Sequence, residues 1–258
     1  MKRQLLYLIT LSLLLISCEN NNLFIDPDYP TTFKRLSDEK LSQLRTSLTN
    51  EYPYIRSTLN DFGFCWPNEF YEIINPPSNS HLLTEYESIE LAKEFVSKHP
   101  TETGIENPED LTISKVYSLS KETLWTVVSS LQKVDTIDVL NSDIVFRFDE
   151  GELIHCEGNW FPNIYIPSKF NFSEAKAKNN IIGKRVSHFG WTGEYFETIS
   201  KSSFENCRTG LKIVPLRSTD KIELRVAWEI YIPSVSAIVY VDVMTGIIIR
   251  QESTIIAK

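Results

Sequence analysis

Thiols and imidazoles are the side chains with the widest chemistry in this chain. There are four cysteines, Cys18, Cys65, Cys156 and Cys207, and four histidines, His81, His99, His155 and His188. His155 adjoins Cys156, the pairing of a nucleophile with a base. On a strand, however, neighbouring side chains point to opposite faces, so these two cannot form their own dyad. His188 would have to approach Cys156 from elsewhere in the fold. No two histidines stand three to five residues apart, the spacing of zinc-binding pairs on helices and loops. Asp26 and Asp28 flank Pro27 without the regular series of oxygen ligands that a calcium loop needs. Glu150 and Glu152 border Gly151 and read as solvated turn residues. The sequence contains no Gly-x-Ser-x-Gly elbow, no glycine-rich phosphate loop and no His-Glu-x-x-His motif. These patterns predict no catalytic centre, no cofactor and no metal.

The one cysteine with a clear chemical expectation is Cys18. Lys2 and Arg3 precede an apolar run from Leu5 to Ile16, and Leu15-Ile16-Ser17-Cys18 has the form of a lipobox. A run of twelve residues falls short of the roughly 20 that cross a bilayer and fits the hydrophobic region of a signal peptide. The expectation is cleavage of residues 1–17 and lipidation of Cys18. The acyl chains would hold the protein at a membrane, and two or more are what stable anchoring needs. This predicts a lipid-anchored extracytoplasmic protein of the cell envelope, at the outer membrane in preference to the inner. Removing residues 1–17 takes away Lys2 and Arg3 and no acid, so the formal charge moves from −8 to −10. So acidic a chain has no electrostatic reason to bind nucleic acid, and its overall charge keeps it off anionic headgroups apart from the anchor. In an oxidising compartment the other three cysteines allow one disulfide. Three pairings compete, with Cys156–Cys207 as the candidate bridge. Three inert buried thiols is the equal alternative.

The elements that must position these residues are legible in outline. Residues 18–35 are polar, contain two prolines and read as a flexible tether behind the lipid. Leu41, Leu44 and Leu48 line one helical face, and residues 36–80 read as a small helical N-terminal region ending in the linker Asn75-Pro76-Pro77. Thr84-x-x-Glu87 is a capping box opening a helix with Ile89, Ala92, Phe95 and Val96 on one side. Strands follow. Ile144, Phe146 and Phe148 alternate with polar or smaller residues, and Asp149-Glu150-Gly151 turns the chain into a hairpin. A second unit repeats the plan. Asn171-Phe172-Ser173-Glu174 starts a helix, Gly183 stops it, and strands at Leu211–Leu216, Ile222–Ile232, Ala237–Val243 and Ile247–Glu252 complete it. The predicted class is α+β, with units over residues 81–167 and 168–258 that suggest duplication. Trp160-Phe161-Pro162 and Trp191 are a possible ligand platform, but sealing the joint between the units is the favoured role.

Two segments carry a family likeness. Val226-Ala227-Trp228-Glu229-Ile230-Tyr231-Ile232 followed by Val241-Asp242-Val243-Met244-Thr245-Gly246 resembles the PepSY domain, with its tryptophan-centred strand and VD-x-x-TG hairpin. Gln132 to Asn163, with Gly158-Asn159-Trp160-Phe161-Pro162, is similar to the fungalysin/thermolysin propeptide domain. The resemblance implies two tandem cystatin-like units, each a helix on a curled antiparallel sheet. It also implies a non-enzymatic protein-binding role, as inhibitor or folding assistant of a secreted protease. With no protease motif in this chain, that action would be in trans. The alternative expectation is a structural, assembly or uptake-associated lipoprotein of the envelope with no link to a protease.

Overall fold

The computed structural model describes residues 23–67, 83–119, 124–190 and 193–255. Cys18, His81 and Trp191 lie outside them. No helix among the described residues is long and apolar enough to cross a membrane.

The class is α+β. Helix α1 (Asp38–Glu51) begins at Ser37, whose hydroxyl accepts a hydrogen bond from the Lys40 backbone N–H at 3.2 Å. Its buried face carries Leu41 and Leu48. Helix α2 (Glu85–Lys98) opens on the complete Thr84–Glu87 capping box and buries Ala92, Phe95 and Val96. The single turn α3 (Pro100–Thr103) ends at Gly104, whose backbone takes φ +78°. A Cβ there would sit 1.9 Å from the Trp160 carbonyl oxygen, so both the conformation and the close approach demand glycine. Helix α4 (Glu174–Ile181) is capped by Ser173 and buries Ala177 and Ile181.

Fifteen strands accompany these helices among the described residues. In the first body, β4 (Ile113–Leu119), β5 (Leu124–Ser129), β8 (Ile144–Asp149) and β9 (Glu152–Gly158) form a four-stranded antiparallel meander in that order. The alternation expected of β8 is present, with Ile144, Phe146 and Phe148 buried. In the second body, β12 (Arg208–Arg217), β13 (Lys221–Ile232), β14 (Ala237–Asp242) and β15 (Ile248–Ser253) form a second antiparallel meander. Each meander follows one principal helix, α2 in the first body and α4 in the second.

Three expectations need correction. The tether does not extend to residue 35, because β1 (Thr31–Lys34) pairs antiparallel with Lys221–Leu224 of β13. Tyr29 and Asp26 are also tied down: the Tyr29 hydroxyl donates to Asp242 Oδ2 at 2.8 Å, and Asp26 accepts from the Tyr165 hydroxyl at 2.8 Å. The region 36–80 is not simply helical. The aromatic-rich stretch forms the hairpin β2 (Ser57–Leu59) and β3 (Cys65–Pro67), which covers the open side of β9. Its Leu59 and Cys65 share one core with α1, α2 and the first meander. The first unit also lends strands to the second sheet across the expected boundary at 167/168. Between β5 and β8 the chain makes a small hairpin, β6 (Lys133–Val134) and β7 (Ile137–Val139), and β7 pairs parallel with β12 of the second sheet. Lys212 Nζ bonds Asp138 Oδ2 across that junction at 2.6 Å.

Trp160 and Phe161 sit at the joint. Trp160 belongs to the first core, whereas Phe161 lies in the second, edge-on to Phe64 at 5.5 Å between centroids. Gln132 locks the crossing, donating to the Phe161 carbonyl at 2.7 Å and accepting from its N–H at 3.0 Å.

Candidate functional site

Strand periodicity builds a cleft in which an exposed aromatic, a guanidinium and carboxylates meet. On β3, alternation sends Cys65 into the core and leaves Trp66 outside, 44% exposed. On β9, Cys156 points inward while His155 and Glu157 share the other face. The end of β12 brings Arg217 alongside. Trp66, Asp143, Glu157, Asn159 and Arg217 border a cleft of about 390 Å³ where the hairpin, the β8–β9 ends and the second sheet meet. Gly158 makes this possible. At φ +139° it lets β9 pass so near Asp143 that a Cβ would stand 2.2 Å from the Asp143 carbonyl oxygen.

Arg217 is the chemical centre of the cleft. Its guanidinium lies 5.3 Å over the Trp66 ring, and Nη2 donates to Asn159 Oδ1 at 2.7 Å. Part of the group is withdrawn from water, which lowers its pKa. Among the described residues no carboxylate lies within ion-pair distance of it. A planar fork of donors with several N–H groups still free is suited to accept a carboxylate or a peptide carbonyl.

Behind the cleft runs a polar chain. Ser57 Oγ stands 3.2 Å from His155 Nδ1 and accepts the Cys156 backbone N–H at 2.8 Å. His155 Nε2 lies 3.0 Å from Glu157 Oε2, close enough for charge attraction but not aligned as a hydrogen bond. Burial lowers the His155 pKa, against the pull of Glu157. The serine, histidine and glutamate resemble a hydrolytic triad in composition only. Ser57 is buried and its hydroxyl is occupied in fixing the hairpin to β9, as is the Arg56 N–H, which donates to Ile154 O at 2.7 Å.

The three described cysteines, Cys65, Cys156 and Cys207, are free thiols in this structure. Cys156 faces the same interior as Cys65: both are buried in the first core, with Cys65 on β3 and Cys156 on β9. Burial pushes the Cys156 thiol well up, with Cys65 adding to the shift. Cys207 lies in the second body, immediately before β12. His188 is also remote from Cys156 in the fold, on β10 (Arg185–Gly190), and it bonds Ser253 Oγ at 2.9 Å. Sequence reasoning missed Trp66 and Arg217. Neither carries a motif, and only the docking of the β2–β3 hairpin on β9 unites them.

The segments with the family likeness are packing elements. Trp228 donates from Nε1 to the Phe172 carbonyl at 2.9 Å, at the lead-in to α4. Asp242 is fully buried and organises the last turn, accepting from the Met244 and Thr245 N–H groups at 2.8 and 2.7 Å. No group of three or more metal-ligating side chains is assembled among the described residues.

No family model and no curated protein matches this chain. Among solved structures, the Bacillus megaterium YpeB C-terminal domain is similar over 85% of this chain and 98% of that one, at 10% identity and a TM-score of 0.34. A likeness that slight has no bearing on activity.

Proposed function

We propose that this chain is a non-enzymatic extracytoplasmic module, lipid-anchored through Cys18, that binds an extended polypeptide in the Trp66–Arg217 cleft. The observation that carries the reading is the arginine: a partly desolvated guanidinium, stacked on an exposed indole in an open cleft, with no carboxylate at ion-pair distance among the described residues. A carboxylate side chain or chain terminus of the ligand would complete it, and Asp143 and Glu157, which line the same cleft, would favour a basic neighbour. In the PepSY and propeptide reading the polypeptide is a secreted protease, inhibited or helped to fold in trans. The tandem helix-and-meander plan supports that kinship, as does the position of the VD-x-x-TG segment at the last hairpin.

Selection from a random-peptide display library tests it. The wild-type chain is expected to enrich sequences that share an acidic residue or a free C-terminus. R217Q should weaken a selected peptide about tenfold or more, the value of a charged hydrogen bond, while the thermal midpoint stays unchanged. Equal selection by both proteins would discard the cleft and return the chain to the envelope-assembly alternative.

A further inference from the structure

The structure fixes the chain where it leaves the anchor. The Phe24 N–H donates to Asn171 Oδ1 at 2.8 Å, and Asn171 Nδ2 donates to the Phe24 and Met244 carbonyls at 2.8 and 3.0 Å. Only residues 19–22 separate Cys18 from Leu23, so the point of lipid attachment can stand at most about 17 Å from the folded body. Whatever surface surrounds Asn171 must therefore sit near any bilayer that holds Cys18.

That surface has two independent features. It is apolar: Ile25 is 85% exposed, Ile247 56% and Leu23 50%. Ile247 follows Gly246, whose carbonyl accepts from Asn180 Nδ2, and the exposed Ile182 is two residues beyond Asn180. It is also basic in a chain of net charge −8. Residues 169–185 hold Lys169, Lys176, Lys178, Lys184 and Arg185 against the single acid Glu174, and Lys178 pairs with that acid at 2.6 Å. The other four are exposed. Asp26 is buried against Tyr165, so Asp28 is the exposed acid among the described residues of the incoming segment, and Glu19 lies outside them.

We infer that this face, made by residues 23–25, α4 with its flanks and the β14–β15 turn, lies against an anionic phospholipid surface. The isoleucines would enter the headgroup boundary and the lysines would meet lipid phosphates. This rests on the anchored reading of Cys18. It refines the expectation that overall negative charge repels headgroups, because the charge at the anchor end has the opposite sign. It also sets an orientation: the body built on α4 is membrane-proximal, while the β4 strand of the first sheet is not part of the contact.

The test couples the chain lacking residues 1–17 through Cys18 to a maleimide lipid, in a Cys207→Ser background, on phosphatidylglycerol/phosphatidylethanolamine vesicles. Hydrogen–deuterium exchange should slow at 23–25, 169–185 and 244–250 relative to the uncoupled chain, and stay unchanged at 113–119. Lys176→Glu with Lys184→Glu should remove most of that protection, since each lysine at an anionic surface is worth about fivefold in affinity. Ile247→Asp should reduce it too, and phosphatidylcholine vesicles should give less of it. No protection, protection confined to β4 or the Trp66 cleft, or protection indifferent to lipid charge would overturn the inference. The linkage is chemical, so the result does not depend on native lipidation. The intact mass of the chain purified from its own membranes tests that separately.

Discussion

The two meanders share a plan and hide their polar groups in opposite ways. In the first, the last hairpin turns at Glu150 and Gly151, with φ of 51° and 86°, and the turn is half-buried. The polar commitment lies instead on the flank of β9, where Ser57, His155 and the two thiols join it to the β2–β3 hairpin. In the second, the last turn is the polar centre. Asp242 takes hydrogen bonds from the Met244 and Thr245 N–H groups, the Thr245 and Tyr29 hydroxyls and Arg225. Burial raises the Tyr29 pKa, and Asp242 raises it further. Burial lowers that of Arg225, but its bonds to Glu223 and Asp242 outweigh the loss and leave it raised. The first body is thus held by an element borrowed from upstream, the second by a carboxylate at its own turn. The β9 flank could become a site rim because its polar residues reach the surface; Asp242 could not.

The largest effect expected from this contrast is at Asp242. Asp242→Ala would remove one of the two carboxylate partners of Arg225 and leave several buried donors unpaired, at about 3–5 kcal/mol in sum. Asp149→Ala, at the corresponding turn of the first meander, should cost less than about 1 kcal/mol. Chemical denaturation of both variants checks the pair, and equal losses would abolish the distinction between the two turns.

The next largest effect concerns the borrowed hairpin. Refolding with oxidised glutathione should link Cys65 to Cys156 by thiol–disulfide exchange, the glutathione disulfide taking up the two electrons. Closing so long a loop stabilises by about 2–4 kcal/mol. Non-reducing peptide maps should show that bridge, with Cys207 still open to alkylation, and reduction should lower the thermal midpoint. A Cys156–Cys207 peptide would show that the hairpin does not dock on β9 as described. Smaller again is Tyr29→Phe, which removes one hydroxyl from the Asp242 cluster and should cost about 1 kcal/mol.

Local signals made half of this contrast readable beforehand. The Thr84–Glu87 box and the spacing of Ile89, Ala92, Phe95 and Val96 announced α2. The alternation in Ile144–Phe148 and the Val-Asp-x-x-Thr-Gly run announced the last hairpins of both bodies. What could not be read was long-range. β1 is four residues, Thr31 to Lys34, with no hydrophobic alternation, and it is a strand only because β13 offers Lys221–Leu224 for pairing. The parallel pairing of β7 with β12 leaves no periodic mark on either segment. β10 pairs with β11 (Gly193–Thr198), whose glutamates and aromatics are mostly exposed, so neither hydrophobic run nor burial pattern flagged the hairpin. Which thiol meets Cys156, and that Trp66 would stand beside Arg217, are consequences of one docking event that composition cannot report.

The smallest expected effect is the most specific to the first body. Burial holds the pKa of His155 below its ordinary 6.5, with Arg147 and Arg56 acting in the same direction and Glu157 opposing. Above 6.5 both folded and unfolded chains carry the ring neutral. As the pH falls through 6.5, the unfolded chain takes up a proton that folded His155 resists, so stability must decline on the acid side. Asp138, Glu174 and Glu223 are held below the usual carboxylate range chiefly by bonds from Lys212, Lys178 and Lys221, so their contributions fade only at lower pH, below about 4.5. Between pH 7 and 5 the loss should stay below about 1 kcal/mol. His155→Gln, which can still accept from Ser57, should flatten the profile in that window. An unchanged slope in this variant would mean that the β9 flank carries no titrating group in that range.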